Sequence, residues 1–339
     1  MKHLHILFQH GTDGLPFGCS MIRLIRPLSY PGLSMPYSVT WGTDLPDHPV
    51  DIVIIERLWK PGTTVQQAQA LISTLRAQGT KILYTLDDDL LGLPLPGDAL
   101  NAIRFFARHA DGLLVSTTPL AERMKSLNPR CIVLPNQIDD TLFGPSPEVS
   151  TEQRRPVVMG YMGTPTHLHD LQGILVPLRT VLRRHIGNIR LELVGVADNP
   201  GVLDLFDGLP VSIKRPEGHV AYDKFVHWMK RELRWDFAIA PLSVSAFNRC
   251  KSDLKFLDYG ALGLPGIFSA VTPYADTVQH NITGLLAASD TEWEQHLESM
   301  ITEPETRHSL ARAARDYVYT ERSLRIRATD WLDAIQELT

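Results

Sequence analysis

The chain has 339 residues, of which 44% are hydrophobic and 21% are charged. This length and composition suit two globular domains, each with a sizeable core. The 33 basic residues against 38 acidic residues give a net charge of −5, which disfavours a general nucleic-acid binder. A local basic groove for one diphosphate is still compatible with this charge balance.

The three cysteines, Cys19, Cys131 and Cys250, lie far apart and form no CxxC spacing. A disulfide framework or a structural zinc site is therefore not expected, which suits a reducing cytoplasm. Residues 1–10 have too short an apolar core for a signal peptide, and no stretch reaches the ~18 apolar residues of a membrane span. Residues 225–235 interleave aromatic and basic side chains, which fits peripheral contact with the inner membrane surface or, more typically, a half-buried helix.

Short apolar runs alternate with amphipathic segments along the first half of the chain, as in a parallel sheet covered by helices. The predicted strands are residues 4–8, 52–55, 81–85, 112–116 and 131–134. The predicted helices are residues 20–27, 64–78, 98–109 and 119–127.

Residues 143–156 are polar, rich in proline and aperiodic, and we predict that they link a first domain, 1–142, to a second, 157–310. The second domain repeats the alternation, with strands at 157–162, 190–194, 211–214, 236–240 and 266–269 and helices at 169–185, 221–233 and 251–262. Ligands of open α/β folds bind at the carboxyl ends of strands, so the prediction is two Rossmann-like doubly wound α/β domains facing a central cleft. We expect the helical segment 311–339 to cross back to the first domain.

Residues 248–265 carry the most informative pattern. Read as a helix, they place Lys251, Lys255 and Asp258 on one face, at i, i+4 and i+7. Asn248 or Ser252 would cap the helix, whose N-terminus and lysines would attract a pyrophosphate. Asp258, roughly 10 Å along the axis, would accept hydrogen bonds from ribose hydroxyls. The alternative is a solvated face with Lys–Asp pairs.

This segment resembles the donor-binding helix of retaining GT-B glycosyltransferases of the group 1 type, especially bacterial O-antigen and exopolysaccharide enzymes. Asp258 stands in place of the usual Glu, and Cys250 occupies the position of an earlier Glu that often faces the transferred sugar. The resemblance implies a GT-B fold whose C-terminal half holds a nucleotide sugar. The matching residues are Lys251, Ser252, Lys255, Phe256, Tyr259, Ala261, Leu262, Gly263 and Pro265.

Residues 160–171 end a predicted strand and open a helix. Gly163 permits a tight turn, and the hydroxyls of Thr164 and Thr166 are suited to phosphate. The segment resembles the opening of the C-terminal domain in the same enzymes, which adds His167 to the donor site; the alternative is an ordinary strand–helix turn with a capping Thr. The i, i+2 spacing of His167 and His169 lacks a fixed third ligand, so we expect no metal and no other cofactor.

Asp87, Asp88 and Asp89 follow an apolar run, at the carboxyl end of a predicted strand. Three adjacent carboxylates repel one another unless they are solvated or paired. There they would meet substrate hydroxyls or act as a base, or else form a helix N-cap cluster. The triplet resembles a version of the His-Asp pair that many retaining GT-B enzymes carry near the reacting carbon, which makes all three residues catalytic candidates. A DxD metal site does not suit two tandem domains of this kind.

Three further loops carry weaker patterns. Gly11 and Gly14, followed by Arg23, form a flexible loop that in GT-B enzymes faces the diphosphate and acceptor; Arg23 is an anion contact or a surface residue. By the same resemblance, Arg215 and Tyr222 should lie beside the nucleotide base, with Tyr222 as a stacking partner. The pair at residues 56–57 ends another strand, and residues 135–139 resemble an architectural Pro-Asn turn of the family.

The resemblance thus implies transfer of a sugar from a nucleoside diphosphate to a hydroxyl of a glycan or lipid-linked glycan acceptor, in cell-surface polysaccharide biosynthesis. Two alternatives stay open: a nucleotide-sugar epimerase of GT-B fold, and a non-catalytic nucleotide- or glycan-binding protein. Cys250 is the sequence feature that favours the second alternative, because it stands where related enzymes often have a Glu that faces the transferred sugar.

Overall fold

The structure is a computed structural model that describes residues 1–11, 13–149, 155–196, 201–217 and 221–339. The chain folds as two compact units. The first unit comprises Met1–Asp139, Cys250–Ser252 and Ser323–Thr339, and the second comprises Asp140–Arg249 and Asp253–Arg322. Within the predicted linker, residues 150–154 lie outside the described residues.

The first unit is built on a six-stranded parallel sheet with the order β2-β1-β3-β4-β5-β6. Its central strands are apolar runs whose residues are buried along their length, as expected when helices cover both faces of a parallel sheet. The strands are β1 (Lys2–Leu7), β2 (Tyr37–Gly42), β3 (Ile52–Glu56), β4 (Lys81–Leu86), β5 (Gly112–Val115) and β6 (Cys131–Val133).

Helices surround this sheet. The helix Val65–Ala77 begins with a capping box between Thr64 and Gln67, which explains its sharp start. The predicted helix at 20–27 is a continuous helical stretch whose middle turn, Met21–Ile25, is a π-helix. The helical segments are Gly18–Ser20, Met21–Ile25, Arg26–Leu28, Val65–Ala77, Leu90–Gly92, Gly97–His109, Thr118–Met124 and Leu324–Leu338.

The C-terminal segment does not form one element over 311–339. It divides near Arg322: the helix Pro304–Glu321 belongs to the second unit and the helix Leu324–Leu338 to the first. The last helix is fixed there because the indole of Trp331 donates to the carbonyl of Arg23 at 2.6 Å, and because Leu338 packs on Gly112.

Substitution of Gly112 by Ala tests this packing. A Cβ on Gly112 would lie 2.5 Å from Cδ2 of Leu338, so the helix must shift or Leu338 must change rotamer. We expect a loss of about 1–2 kcal/mol in the free energy of unfolding, measured by urea denaturation. Gly97→Ala is the matched control, since a Cβ there meets nothing within 4 Å. Equal stability of the two variants would contradict the packing.

The second unit has its own six-stranded parallel sheet, with the order β12-β11-β10-β7-β8-β9. Gly160, in its central strand, makes room for Trp235, because a Cβ there would lie 1.8 Å from the indole ring. The strands are β7 (Val157–Gly163), β8 (Ile189–Gly195), β9 (Val211–Lys214), β10 (Phe237–Ala240), β11 (Gly266–Ser269) and β12 (Leu285–Ala287).

Two predicted helices of this unit differ from the observed ones. The helix predicted at 169–185 is interrupted at Gly173 and Ile174, and the one predicted at 251–262 begins at Leu254. The helical segments are Asp140–Phe143, Pro165–His167, Leu168–Gln172, Leu175–Arg184, Leu203–Phe206, Tyr222–Glu232, Ala246–Arg249, Leu254–Ala261, Tyr274–Thr277, Asp290–Thr302 and Pro304–Glu321.

The aromatic and basic segment at 225–235 forms most of the helix Tyr222–Glu232. Its residues Val226, Trp228 and Met229 are buried in the unit, so the apolar stripe is a core face. None of the helices that the structure describes is long and apolar enough to cross a membrane.

Candidate functional site

Five charged side chains meet at the carboxyl ends of β3 and β4 in the first unit; we call them the strand-end cluster. Arg57 donates from Nη1 to Oδ1 of Asp87 at 3.1 Å and lies 4.0 Å from Oδ2 of Asp88. On its other side, Asp88 pairs through Oδ1 with Nζ of Lys251 at 3.7 Å. Glu56, the last residue of β3, completes the cluster.

The backbone presents Arg57 to this cluster by an unusual conformation. Its φ is +50°, in the left-handed region, and its amide and carbonyl are both held by neighbours. The amide donates to the carbonyl of Thr85 at 3.0 Å, and the carbonyl accepts from the hydroxyl of Tyr84 at 2.9 Å. Such over-determined strain is common at functional positions.

The charges of the cluster shift one another's ionisation. Burial opposes the charge of Arg57, but Asp87 and the other nearby anions raise its pKa above the usual value. Burial and Asp87 raise the pKa of Asp88, while Lys251 and Arg57 act to lower it. The cations therefore allow two adjacent carboxylates to stay close together.

Glu56 is 2% exposed and accepts hydrogen bonds from the amide of Gln9 and the hydroxyl of Ser20. Burial raises its pKa to about 7, with Asp87 acting in the same direction; Ser20, Gln9 and Arg57 act against it. Burial also raises the pKa of the Cys19 thiol well above its usual range, and Glu56 and Asp87 act in the same direction.

Asp89 does not join its two neighbours. Its carboxylate is 2% exposed and pairs through Oδ2 with Nε of Arg123 at 3.2 Å, while Oδ1 is buried without a partner. It precedes the short helix Leu90–Gly92 but makes no side-chain capping bond to it. Asp89 therefore occupies the N-cap position of this short helix, but its side chain pairs with Arg123 instead of capping it, and Asp87 and Asp88 are held by cations.

Arg23 lies inside the first unit, 2% exposed, in the π-helical turn. This contradicts its interpretation as a surface residue. Its Nη1 donates to the carbonyl of Leu134 at 3.0 Å and to Oδ1 of Asn136 at 2.9 Å, and its Nε is buried without a partner. Burial lowers the pKa of Arg23, and Asp87 and Glu56 raise it.

Residues 250–252 form a short strap that belongs to the first unit although the chain on both sides belongs to the second. Cys250 is 5% exposed, packs in the core of the first unit, and its carbonyl accepts from the hydroxyl of Thr117 at 2.9 Å. Ser252 accepts at Oγ from Nδ2 of Asn136 at 2.9 Å. Anchored on both sides, Lys251 is directed to Asp88.

A second set of polar residues lies at the carboxyl ends of β7 and β10 in the second unit. Asp170, which is buried, accepts from Nδ1 of His167 at 2.7 Å and from the amide and hydroxyl of Ser243 at 2.8 and 2.7 Å. Asn248 donates to the carbonyl of Ser243 at 2.9 Å and, weakly, to Asp170. Burial opposes the ionisation of Asp170, but the bonds from His167 and Ser243 hold its pKa at about 2.

Replacement of Asp170 by Ala removes the acceptor for these donors at once. We expect a loss of about 2–3 kcal/mol in the free energy of unfolding at pH 7, because buried donors are left unpaired. The stability that the ionised group contributes is present above its ordinary pKa of 3.8 and is lost as the pH falls towards about 2. Urea denaturation measures the loss; Asp170→Asn, which keeps one acceptor, should lose less, and equal losses would contradict the network.

Gly163 and Thr164 form the turn after β7. A Cβ on Gly163 would lie 3.0 Å from the hydroxyl of Tyr161 and 3.1 Å from Cβ of His167, so the turn suits glycine. Thr164 is exposed and its hydroxyl contacts that of Thr166 at 2.8 Å. His167 is engaged with Asp170, and the described residues contain no group of three His, Cys, Asp or Glu side chains suited to a metal ion.

The helix Leu254–Ala261 carries Lys255 and Asp258 but not Lys251, so the single helical stripe predicted from the sequence is wrong. Neither Asn248 nor Ser252 caps it. Its start is fixed because Asp253 accepts Nη1 and Nη2 of Arg322 at 2.7 and 3.1 Å, and because the carbonyl of Asp253 accepts the amide of Phe256.

Asp258 is 8% exposed, and neither of its carboxylate oxygens has a hydrogen-bond partner among the residues that the structure describes; Oδ1 is fully enclosed. Burial raises the pKa of Asp258 to about 7, and Lys255 acts to lower it. A buried carboxyl group without partners costs stability, so it is more typical of a binding site than of a structural pair.

The remaining candidates lie in loops. Gly14 has a φ of +71° and donates its amide to the carbonyl of Gly11, which makes the turn after β1; Thr12 lies outside the described residues. Arg215 follows β9 and is exposed, and Tyr222 begins the helix Tyr222–Glu232. Residues 218–220 of the predicted base-binding loop lie outside the described residues.

The sequence patterns assign no site role to Asp170 or Ser243, and they place Asn136 only in an architectural turn. Asp170 lies inside the segment 160–171, but only its buried position, with four donors, distinguishes it. Ser243 follows β10 without any surrounding motif. No local signal identifies Asn136 as a partner of Ser252.

No family model matches the chain, and no curated protein matches it. Several solved structures are similar to the chain. HepE from Anabaena, in complex with UDP and glucose, is 13% identical, covers 99% of this chain and 100% of its own, and has a TM-score of 0.69. Sucrose-phosphate synthase from Thermosynechococcus elongatus is 13% identical over 100% of this chain and 99% of its own, with a TM-score of 0.72.

The lipopolysaccharide outer core galactosyltransferase WaaB, in its apo form, is 13% identical over 100% of both chains, with a TM-score of 0.63. Together with the two parallel sheets, these similarities show that the chain has the GT-B glycosyltransferase fold, with two Rossmann-like domains. The predicted fold class is confirmed.

Proposed function

We propose that the protein is a glycosyltransferase that transfers a sugar from a nucleoside diphosphate to a hydroxyl of a glycan or lipid-linked glycan, in cell-surface polysaccharide biosynthesis. The observation that carries this proposal is Asp258, a buried carboxyl group with no partner of its own among the described residues. Its position in the helix after the Lys251–Ser252 pair is the position at which the resemblance places the ribose-binding acid.

In this proposal the second unit binds the nucleotide. Asp258 accepts hydrogen bonds from the ribose hydroxyls, and Lys255, in the same helix, acts to lower the pKa of Asp258 and so favours its ionised form. Gly163 and Thr164 offer backbone amides and an exposed hydroxyl to the diphosphate, and Asn248 and His167 are held in place by Asp170. Arg215 and Tyr222 contact the base.

The reaction breaks the bond between the anomeric carbon and the diphosphate oxygen and forms a bond from that carbon to the acceptor oxygen. The acceptor's proton leaves to the departing diphosphate or to solvent. Lys251 stabilises the negative charge that develops on the diphosphate, and needs no metal to do so. Asp88 holds the ammonium group in place, and Asp87 and Asp88 offer carboxylates to sugar hydroxyls.

The family resemblance supports retention of the anomeric configuration and a cytoplasmic protein that works at the inner membrane surface. UDP is the first nucleotide to test, because the HepE structure that this chain is similar to contains UDP and glucose.

A panel of nucleoside diphosphate sugars tests the proposal. The midpoint temperature of thermal unfolding should rise with one class of donor, because a ligand that binds only the folded state stabilises that state. The same donor should be hydrolysed slowly without acceptor, releasing nucleoside diphosphate, and transferred faster with glycan acceptors. Binding without release would indicate a non-catalytic binder, and conversion of the donor to its epimer would indicate an epimerase. No stabilisation by any donor would overturn the assignment.

A further inference from the structure

The second unit contains a cavity at the edge of its sheet opposite to the candidate donor site. Its volume is about 260 Å³, and it is lined by residues 233–236 before β10, residues 262–265 before β11, and the first turns of the helix Pro304–Glu321. Residues that precede parallel strands lie at the amino edge of the sheet, whereas Ser243 and Asn248 follow β10 at the carboxyl edge.

Two nearly buried side chains, the guanidinium group of Arg307 and the imidazole of His308, line this cavity. Arg307, 4% exposed, donates from Nη1 to the carbonyls of Met300 and Ile301 and so caps the last turn of the helix Asp290–Thr302. Its Nε and Nη2 have no hydrogen-bond partner within the described parts of the chain. The same is true of both ring nitrogens of His308, which is 8% exposed.

Two arginines, Arg307 and Arg234, and two acids, Asp236 and Glu148, line the cavity. Arg155 is close enough to Arg307 to influence its ionisation. Burial lowers the pKa of Arg307, Asp236 raises it and Arg155 lowers it again. Of the two acids, Asp236 already accepts the amide of Val158 at 2.7 Å, and Glu148 is exposed at the rim.

We propose that this cavity binds a small phosphorylated sugar or polyol at a site separate from the donor site. A phosphate ester has three oxygens for the unpaired nitrogens of Arg307 and His308 and for Arg234, and guanidinium groups match phosphate geometry. The carboxylates of Asp236 and Glu148 accept the hydroxyls of the ligand. A cavity of about 260 Å³ lies below the range of pockets for drug-sized ligands, so a whole nucleotide sugar is too large for it.

Isothermal calorimetry with glucose 6-phosphate, glucose and glucuronate tests the site on the full chain. We expect glucose 6-phosphate to bind, and glucose and glucuronate to bind at least about tenfold more weakly, because both lack the phosphate dianion. Arg307→Lys and His308→Asn should each weaken binding by about tenfold. Arg312→Gln, which removes a charge from an exposed position of the same helix, is the matched control and should not weaken it.

Asp258→Asn should leave glucose 6-phosphate binding unchanged, because the donor site is at the other edge of the sheet. His308→Asn keeps the test decisive if Arg307→Lys unfolds with the loss of the helix cap. Absence of binding, equal binding of glucuronate, or binding that Asp258→Asn abolishes would overturn the proposal without touching the proposed transferase function.

Discussion

Substitution of Asp258 by Asn should make the unliganded protein more stable at pH 8 and its nucleotide binding weaker. The two effects have one cause, because a carboxyl group that is buried without partners is kept for its ligand at the expense of stability. A residue with a purely structural role would lose stability on substitution, so opposite signs distinguish the two cases.

The gain in stability expected for Asp258→Asn follows from the raised pKa of Asp258 in the folded state. The folded state holds the proton of Asp258 up to about pH 7, whereas an unfolded Asp releases it near its ordinary value of 3.8. The folded state is therefore penalised as the pH rises from 3.8 to about 7, and the penalty is complete above that. Because each pKa unit corresponds to about 1.4 kcal/mol, the penalty is on the order of 4 kcal/mol. Asn, which is also polar, should recover only about 1–2 kcal/mol of it.

Urea denaturation at pH 8 and at pH 4 measures the stability of this variant, and calorimetry with UDP measures its affinity. We expect the gain in stability at pH 8 to vanish by pH 4, and affinity to fall by about 10- to 100-fold, as when hydrogen bonds to a charged group are lost. Asp276→Asn, at an exposed position of the same unit, should change neither quantity. A variant less stable than the parent at pH 8 would contradict this account of Asp258.

Substitution of Lys251 by Ala should reduce turnover of the donor by about 100-fold while the protein stays folded. The ammonium group lies 3.7 Å from Asp88 in a strap that Thr117 and Asn136 hold in place. Loss of a positioned donor that stabilises developing charge has an effect of this size. The fold should tolerate the change because the side chain of Lys251 is partly exposed and Arg57 still faces both acids.

Release of nucleoside diphosphate under saturating donor measures this effect, and circular dichroism checks the fold. Lys125→Ala, which removes an exposed lysine of the same unit, is the control. Lys251→Arg should restore part of the rate, because it restores the charge without the same geometry. Turnover in Lys251→Ala close to that of the parent would remove Lys251 from the mechanism.

Most of the fold could be predicted from the sequence because its central strands are uninterrupted apolar runs. Ile52–Glu56 and Phe237–Ala240 have no other plausible place than a buried parallel sheet. The two strands that were missed, Tyr37–Gly42 and Leu285–Ala287, lie at the edges of their sheets. The first is only partly buried and the second has three residues, so neither carries a clear pattern.

The site was predicted less well because long-range contacts override its local pattern. Lys251 fits a helical spacing with Lys255 and Asp258, yet Cys250 packs in the core of the first unit and Ser252 bonds to Asn136. Those partners lie more than a hundred residues earlier in the chain, and a local pattern carries no information about them. The separation of Asp89 from Asp87 and Asp88 also results from contacts outside the local pattern. Arg123 pairs with Asp89, whereas Arg57 pairs with Asp87.

The contact between Asp258 and the ribose of a bound nucleotide is central to the proposed function. A double-mutant cycle tests it directly: calorimetric titration of the parent and of Asp258→Asn with UDP and with 2′,3′-dideoxy-UDP, or with the corresponding pair for another base that the donor panel selects. We predict that removal of the ribose hydroxyls weakens binding to the parent by about tenfold or more and leaves binding to the variant almost unchanged. An equal loss of affinity in the parent and the variant would contradict the contact between Asp258 and the ribose.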